Sequence, residues 1–224
     1  KSLNWYEPKE KTLPNPNSYF KKLTSESPIS SCFVVDGGGT ALYTGFQSVY
    51  IKKNQRIICS SAISSMGSGL AEVIGVHNAK KFNSIFLIIG DGSFLMNVQD
   101  LQSIRSQDIP VIISIINNNG YLAIRNTQNE FLSGRLYGTH PEWGLQMPSI
   151  EEISKSFDID YIKLDNKKNT TDVTKYLNNH GGPIVCEVVV EDDVKELFRQ
   201  GYIENKDGTF TPLPLNVMQP VINR

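Results

Sequence analysis

The sequence predicts a doubly wound α/β domain: a mostly parallel, six-stranded sheet with helices on both faces. Two observations predict it. Short apolar runs alternate with helix-length stretches along the chain, the pattern of βαβ units. Two of those runs also end in small polar loops that a single crossover must bring to one sheet edge. Residues 85–89 (IFLII) run into Gly90-Asp91-Gly92-Ser93, and residues 111–116 (VIISII) run into Asn117-Asn118-Asn119-Gly120. Residues 95–106 between them read as a helix, so both tips emerge where open α/β sheets bind ligands. One tip offers a carboxylate and the other a carboxamide. Both are hard oxygen donors, the type that Mg²⁺ bridging a diphosphate requires.

The remaining elements follow in order. Residues 1–16 are polar, carry Pro8, Pro14 and Pro16, and read as a linker from a preceding domain. The domain proper is expected over 17–190, opening with a helix from Asn17 to about Leu23. Residues 32–35 form a strand that ends in Asp36-Gly37-Gly38-Gly39-Thr40, followed by a helix over 41–50. A strand at 56–59 leads through the loop at 60–69 into a helix over 70–79. After the central crossover, 121–127 reads as a short helix. Residues 129–148 are irregular and rich in Gly, Pro and aromatics. Loops of that length in compact domains are often functional lids. A helix over 149–157, a strand over 161–164, a helix over 171–178 and a strand over 183–190 complete the alternation. The tail, 191–224, carries Pro212, Pro214 and Pro220 and is expected to pack on the domain or a partner.

Length and charge narrow the function. A chain of 224 residues can bury one sizeable core. A net charge of −1 gives no electrostatic case for nucleic acid or a membrane surface. No apolar stretch reaches the roughly 18 residues that span a bilayer, and no signal peptide is expected. Cys32, Cys59 and Cys186 are an odd number without metal-ligand spacing. They read as buried free thiols of a cytoplasmic protein. Lys1 is not an initiator methionine, in keeping with a chain that continues upstream.

Each strand-end loop has a bland explanation when taken alone. The Gly37–Gly39 run can be a tight turn with Thr40 capping a helix, or a backbone cradle for an anion at a helix N-terminus. The hydroxyls of residues 60–69 can cap the next helix, with Met66 filling a core gap. Gly90-Asp91-Gly92-Ser93 can be a turn and N-cap, and Asn-Asn-Asn-Gly tolerates positive φ. The combination is more specific. Asp91 and Asn118 lie 27 positions apart on one crossover, with two further Gly/Ser loops on the same edge.

This combination resembles the C-terminal, diphosphate-binding domain of thiamine-diphosphate enzymes of the acetolactate synthase group. The signature runs GDGSFLMNVQDLQSIRSQDIPVIISIINNN over 90–119. It extends upstream in SSMGSGLAEVIGVHNAKK and downstream in NNGYLAIRNTQ, the 148–157 stretch and TPLPLNVMQP. The resemblance implies a thiamine-diphosphate-binding fold with Asp91, Asn118 and the Gly120 carbonyl as Mg²⁺ ligands. It implies diphosphate contacts from Gly38, Gly39, Thr40, Gly90, Gly92 and Ser93. Met66 matches the apolar prop that bends the cofactor, Ser64 would offer its carbonyl to the 4′-amino group, and Tyr121 stands at the cofactor. The bend matters because proximity lets the cofactor's own amine deprotonate the reactive carbon.

The implied activity is decarboxylation of a 2-ketoacid such as pyruvate and transfer of the acyl carbanion to a carbonyl acceptor. The alternatives are simple 2-ketoacid decarboxylation and a non-catalytic cofactor-binding or regulatory module. A Rossmann dinucleotide domain fits less well. No G-x-G-x-x-G follows the first strand, and no acidic residue closes the second at Cys59.

The activating glutamate of this group sits on a pyrimidine-binding domain, of the same or another chain, that nothing here matches. Glu72 reads instead as a structural helix residue. The chain is therefore expected to be one third of a larger enzyme, or one subunit of a split one, assembling as a homodimer or homotetramer. Alone it is expected to have no turnover. A flavin in a missing middle domain is compatible with the resemblance.

Acetolactate synthases carry Trp nine positions after the metal-binding Asn, where this chain has Thr127. Together with GRLYGTHPEWG at 134–144, that departure is similar to proteins of polysaccharide and modified-sugar synthesis and points to a keto-sugar acceptor. Arg125 reads as a solvated helix residue or a ligand for carboxylate or phosphate. His140 reads as a loop histidine or an acid/base. Trp143 and Tyr121 line the site or anchor the loop. His77 and His180 read as structural.

Overall fold

The computed structural model describes residues 12–60, 62–192, 199–214 and 216–219. Contacts divide the chain into two units, Lys1–Asp193 and Val194–Arg224. The first holds β1 (Ser31–Val35), α2 (Gly39–Ser48) and β2 (Arg56–Cys59) after an opening helix, α1 (Pro16–Glu26). There follow α3 (Ser68–Asn78), β3 (Ser84–Gly90), α4 (Asp91–Met96), α5 (Asp100–Ser106) and β4 (Val111–Asn117). The unit closes with α6 (Leu122–Phe131), α7 (Ile150–Ser156), β5 (Asp160–Leu164), α8 (Thr170–Asn178) and β6 (Ile184–Val189).

The six strands pair in the order β2-β1-β3-β4-β6-β5, every pair parallel. The fold class is the expected doubly wound sheet, with parallel pairing throughout. The Ile- and Val-rich runs of β3 and β4 are buried on both faces, as a parallel sheet covered by helices demands. Leu70, Val73 and Val76 of α3, Leu101 and Ile104 of α5 and Ile150 of α7 pack against alternate strand residues such as Cys32, Val34, Leu87 and Ile113. On the opposite face lie the complementary residues. Phe33 and Phe86 stack at 5.2 Å, and Tyr19 of α1 hydrogen-bonds Ser114 at 3.0 Å. The chain leaves β1 for β2 on one side and returns to β3 on the other. That places a topological switch point between β1 and β3, where such sheets open a crevice.

Three boundaries differ from expectation. Helix α1 begins at Pro16, because the Asn15 side chain accepts from Ser18 N at 3.1 Å and proline suits the first turn. Its start lies at the edge of the expected linker, of which residues 1–11 fall outside the described residues. The single helix expected over 95–106 is two. Asn97 leaves helical geometry (φ −133°, ψ 35°), and its Nδ2 donates to the Gly67 carbonyl at 3.0 Å. That bond ties the break to the loop after β2. The short helix expected over 121–127 runs to Phe131.

Residues 132–149 hold one 3₁₀ turn, Pro141–Trp143, and otherwise no regular structure. Within the second unit, β7 (Arg199–Gln200) pairs with β10 (Met218–Gln219), enclosing a hairpin of β8 (Tyr202–Glu204) and β9 (Phe210–Pro212). The expected tail spans that unit, and its residues 193–198, 215 and 220–224 lie outside the described ones. Among the described residues no helix is long and apolar enough to cross a membrane. All three cysteines are free. Cys32 and Cys186 are buried and Cys59 is half-buried.

Candidate functional site

The parallel register puts the C-terminal ends of β1, β3 and β4 side by side, since Val35 pairs with Ile88 and Gly90 with Ile116. The loops leaving these strands converge there. Asp91, the first residue of α4, is 2% exposed. Its Oδ1 accepts from Gly92 N and its Oδ2 from Gly120 N, both at 2.8 Å. Burial pushes the Asp91 carboxyl up to about 6, opposed by the N–H groups of Gly120, Gly92 and Asn118 and by the charge of Arg125.

Asn118, also 2% exposed, donates its Nδ2 to Thr40 Oγ1 at 3.3 Å. Its Oδ1 is buried and has no hydrogen-bond partner. A buried carbonyl oxygen without a donor is costly. Here Thr40 turns the amide so that the oxygen, not the nitrogen, is left over. The turn that carries it is strained: Asn119 has φ 62° and Gly120 φ 118°. At Gly120 a side chain would also collide with Leu145, so the irregular 132–149 segment folds down onto this turn.

The other loops complete the edge. A Cβ on Gly38 would strike Ser93 Oγ, so the first loop and α4 are in direct contact. A Cβ on Gly92 would come within 2.5 Å of the Tyr121 ring, which lies against α4. At Gly90 a Cβ would meet nothing within 4 Å. Gly39 starts α2. Ser64 is left-handed (φ 53°), and Met66 is half-buried beside Gly67, whose own Cβ would lie 3.2 Å from the Ser93 carbonyl. The residues expected at the cofactor are thus drawn to one sheet edge.

One expected role changes. The Gly92 N–H, expected to serve a diphosphate, donates to Asp91. The Gly120 carbonyl accepts from Leu122 N at 3.1 Å and keeps a second lone pair.

Arg125 is neither solvated nor open to a ligand. It is 4% exposed and donates to the carbonyls of Asn118 (2.6 Å), Asn119 (3.0 Å), Thr139 (2.9 Å) and Asp192 (3.4 Å). It ties the Asn118 turn to the long loop and to the exit of β6. Trp143 anchors that loop, packing edge-on against Tyr137 at 4.5 Å. His140 caps the 3₁₀ turn by accepting from Glu142 N. Thr127 is exposed and donates to the Ala123 carbonyl. Glu72 sits in α3, with Oε1 accepting from Ser68 Oγ and Oε2 buried without a partner.

Asp36 was not singled out from sequence. It is fully buried, and its two oxygens accept from Gly38 N (3.0 Å) and Gly69 N (3.1 Å), stapling the first loop to the start of α3. A Cβ on the neighbouring Gly37 would overlap the Ser64 backbone, so this glycine admits the adjacent loop rather than a ligand. An acidic residue at the exit of a fully buried strand was the available signal.

Comparison with known proteins names the fold's lineage. Residues 37–188 match the family described as thiamine pyrophosphate enzyme, C-terminal TPP binding domain. The chain belongs to that family. It is similar to an acetolactate synthase large subunit of Porphyra purpurea, at 28% identity over 141 residues, covering 63% of this chain and 24% of the relative. The chloroplastic acetolactate synthase 1 of Oryza sativa subsp. japonica is 25% identical over 179 residues, 78% of this chain and 28% of the relative. An acetolactate synthase large subunit of Lactococcus lactis is 24% identical over 185 residues, 83% and 31% of the two chains. The chain therefore spans about a third or less of the length of these relatives. Within the matched residues lie Asp91 and Asn118, the buried carboxylate and carboxamide at the sheet edge. Among the described residues no three His, Cys, Asp or Glu side chains gather. The oxygens that could hold a metal at this edge are one carboxylate, one carboxamide and one main-chain carbonyl, all hard donors of the kind Mg²⁺ takes.

Proposed function

We propose that this chain holds the diphosphate end of thiamine diphosphate through Mg²⁺. In that reading it serves an acetolactate-synthase-like enzyme that decarboxylates a 2-ketoacid, pyruvate being the favoured donor, and passes the acyl unit to a carbonyl acceptor. The observation that carries it is the unpaired, buried Asn118 Oδ1 beside the buried Asp91 carboxylate. A divalent cation would answer the unpaired Asn118 oxygen and the Asp91 carboxylate at once; among the described residues no protein donor reaches that Asn118 oxygen.

Asp91, Asn118 Oδ1 and the Gly120 carbonyl would hold the metal. Gly38, Gly39, Thr40, Gly90, Gly92 and Ser93 line the space for the diphosphate, and Ser64, Met66 and Tyr121 border it. When bound, the cofactor supplies the carbon nucleophile and the electron sink for decarboxylation. The chain's residues do the rest. Thr40 orients the Asn118 amide, the N–H groups of Gly92 and Gly120 fix both Asp91 oxygens, and Leu145 covers the turn against water. The activating carboxylate would come from a pyrimidine-binding domain of the same or another chain in a cytoplasmic homo-oligomer. Thr127, smaller and more polar than the Trp of acetolactate synthases, supports a wider acceptor pocket and a keto-sugar acceptor.

Calorimetric titration of the full-length protein with thiamine diphosphate tests the core of the proposal. Binding should require Mg²⁺ and should vanish in Asp91→Ala. Metal-independent binding, or binding unaffected by the substitution, would favour a non-catalytic module instead. Product analysis with pyruvate alone and with keto-sugar nucleotides tests the acceptor. Exclusive acetolactate formation would refute the sugar assignment.

A further inference from the structure

A buried carboxylate two strands away from the candidate metal site is joined to it by hydrogen bonds. Glu187 lies in β6, paired in register with Ile115 of β4, and is 7% exposed. It interrupts the apolar run of a strand whose neighbours in sequence, Cys186 and Val188, are fully buried. A charge in such a place needs partners. It has two. The Tyr161 hydroxyl of β5 donates to Oε2, and Asn117 Nδ2, at the end of β4, donates to Oε1 at 2.5 Å. The other end of the Asn117 amide faces forward, its Oδ1 accepting from Asn119 N at 3.0 Å. The Asn117 main chain is held as well, its carbonyl accepting from Val190 N at 2.9 Å.

We infer that Glu187 is a positioning residue for the metal-ligand turn, acting through Asn117 on the backbone that presents Asn118 and Gly120. The argument is one of polarity. A free asparagine amide can sit either way round, exchanging its oxygen and nitrogen. An ionised carboxylate only accepts, so Glu187 compels Nδ2 to face it and Oδ1 to face the Asn119 amide. That closes a turn in which Asn118 is the middle residue. Asn119 then takes its left-handed φ of 62°, and Gly120 follows at 118°. These two angles set where the Gly120 carbonyl points relative to Asn118, whose own amide is turned by Thr40. Tyr161, donating to the second oxygen, holds the carboxylate itself in place. Asn117, which opens the turn, is thus held from two further strands by Glu187 and Tyr161, neither of which belongs to the turn. The inference rests on the proposed metal role of Asp91, Asn118 and Gly120 only for its functional consequence; the orientation of the turn is independent of it.

Glu187→Gln in the full-length protein is the test, because glutamine keeps the volume and loses the obligate acceptor. Two readouts are needed. In metal-free protein, hydrogen exchange of the segment containing Asn119 should accelerate. In the presence of saturating thiamine diphosphate, the Kd for Mg²⁺ should rise by about 10–100-fold, the usual cost of disturbing a group that orients a metal ligand. Turnover should recover at saturating Mg²⁺, and Tyr161→Phe should shift both readouts in the same direction by less. Unchanged exchange at the turn with unchanged Mg²⁺ affinity, even if the melting temperature falls, would overturn the inference and leave the cofactor reading intact. Wild-type protein that binds no Mg²⁺ would overturn the cofactor reading. The exchange experiment would still decide whether Glu187 sets the turn.

Discussion

Two aspartates stand at the exits of adjacent parallel strands, and the roles proposed for them differ. Asp36 follows β1 and Asp91 follows β3. Both are buried, and each accepts two backbone N–H groups, one from its own loop and one from a distant element. The difference lies beside them. Asp91 has for a neighbour an asparagine oxygen that nothing satisfies, whereas both carboxylate oxygens of Asp36 serve to join two segments of chain. Residue type, strand position and burial are thus no guide to role. An unsatisfied acceptor guides only together with its place: Glu72 and Asn178 also hold a buried oxygen without a partner, but the Asn118 oxygen lies on the turn whose Gly120 N–H binds Asp91. Asp36 staples two segments of chain, and Asp91 is the proposed ligand.

Asp91→Asn is expected to give the largest effect. It removes the only carboxylate of the donor set, so Mg²⁺ affinity should fall by more than the roughly 10–100-fold that outer partners command. Metal titration of the full-length protein measures this. Near-normal affinity in Asp91→Asn would erase the contrast between the two aspartates.

Asp36→Asn should show the converse pattern. Asparagine offers one oxygen where two N–H groups need acceptors, and its NH₂ faces a donor. Leaving one buried amide unmet costs about 1–3 kcal/mol. Denaturant unfolding should register that loss, while Mg²⁺ affinity, measured where the protein is folded, stays close to wild type. A collapse of metal affinity without loss of stability would make Asp36 a second ligand and refute the staple.

Arg125 sharpens the same contrast from the Asp91 side. Its guanidinium serves four carbonyls around the Asn118 turn. Lysine keeps the charge but not the planar fork. Arg125→Lys should therefore destabilise the domain by about 1–3 kcal/mol for each carbonyl left unmet and loosen the 132–149 segment, seen as faster proteolysis there. Unaltered cleavage would detach this arginine from the loop.

The sequence made the sheet legible and the site partly so. Runs such as 85–89 and 111–116 are too apolar and β-branched for anything but buried strands. The glycine, aspartate and asparagine tips betray their own chemistry. Three features were illegible for physical reasons. Arg125 looked solvated because a helix-borne charge normally is. Its burial follows from main-chain carbonyls curling around it, and carbonyls have no sequence signature. The break at Asn97 follows from a hydrogen bond to Gly67, thirty positions away. Glu187 hid within Ile184–Val189 because its partners, Asn117 and Tyr161, come from two other strands. In each case the deciding contact is long-range and polar, while pattern reading registers short-range and apolar order.

The smallest expected effect tests whether Asp36 acts on its surroundings beyond its two hydrogen bonds. Cys59 closes β2, and its thiol is pushed up from the ordinary value by burial first, then by the negative charges of Glu72 and Asp36. The thiolate is the species that reacts with alkylating agents. Removing the Asp36 charge lowers the Cys59 pKa, raises the thiolate fraction at pH 8 and so speeds alkylation. The gain should be less than the tenfold that one pH unit confers. Asp91→Asn should leave the rate unchanged. Cys32 and Cys186, buried and pushed up to about 11 and about 12, should resist the reagent in the folded protein, so the measured rate belongs to Cys59. If Asp36→Asn leaves that rate untouched while still lowering stability, the staple holds as a hydrogen-bonding group without a charge that its surroundings feel.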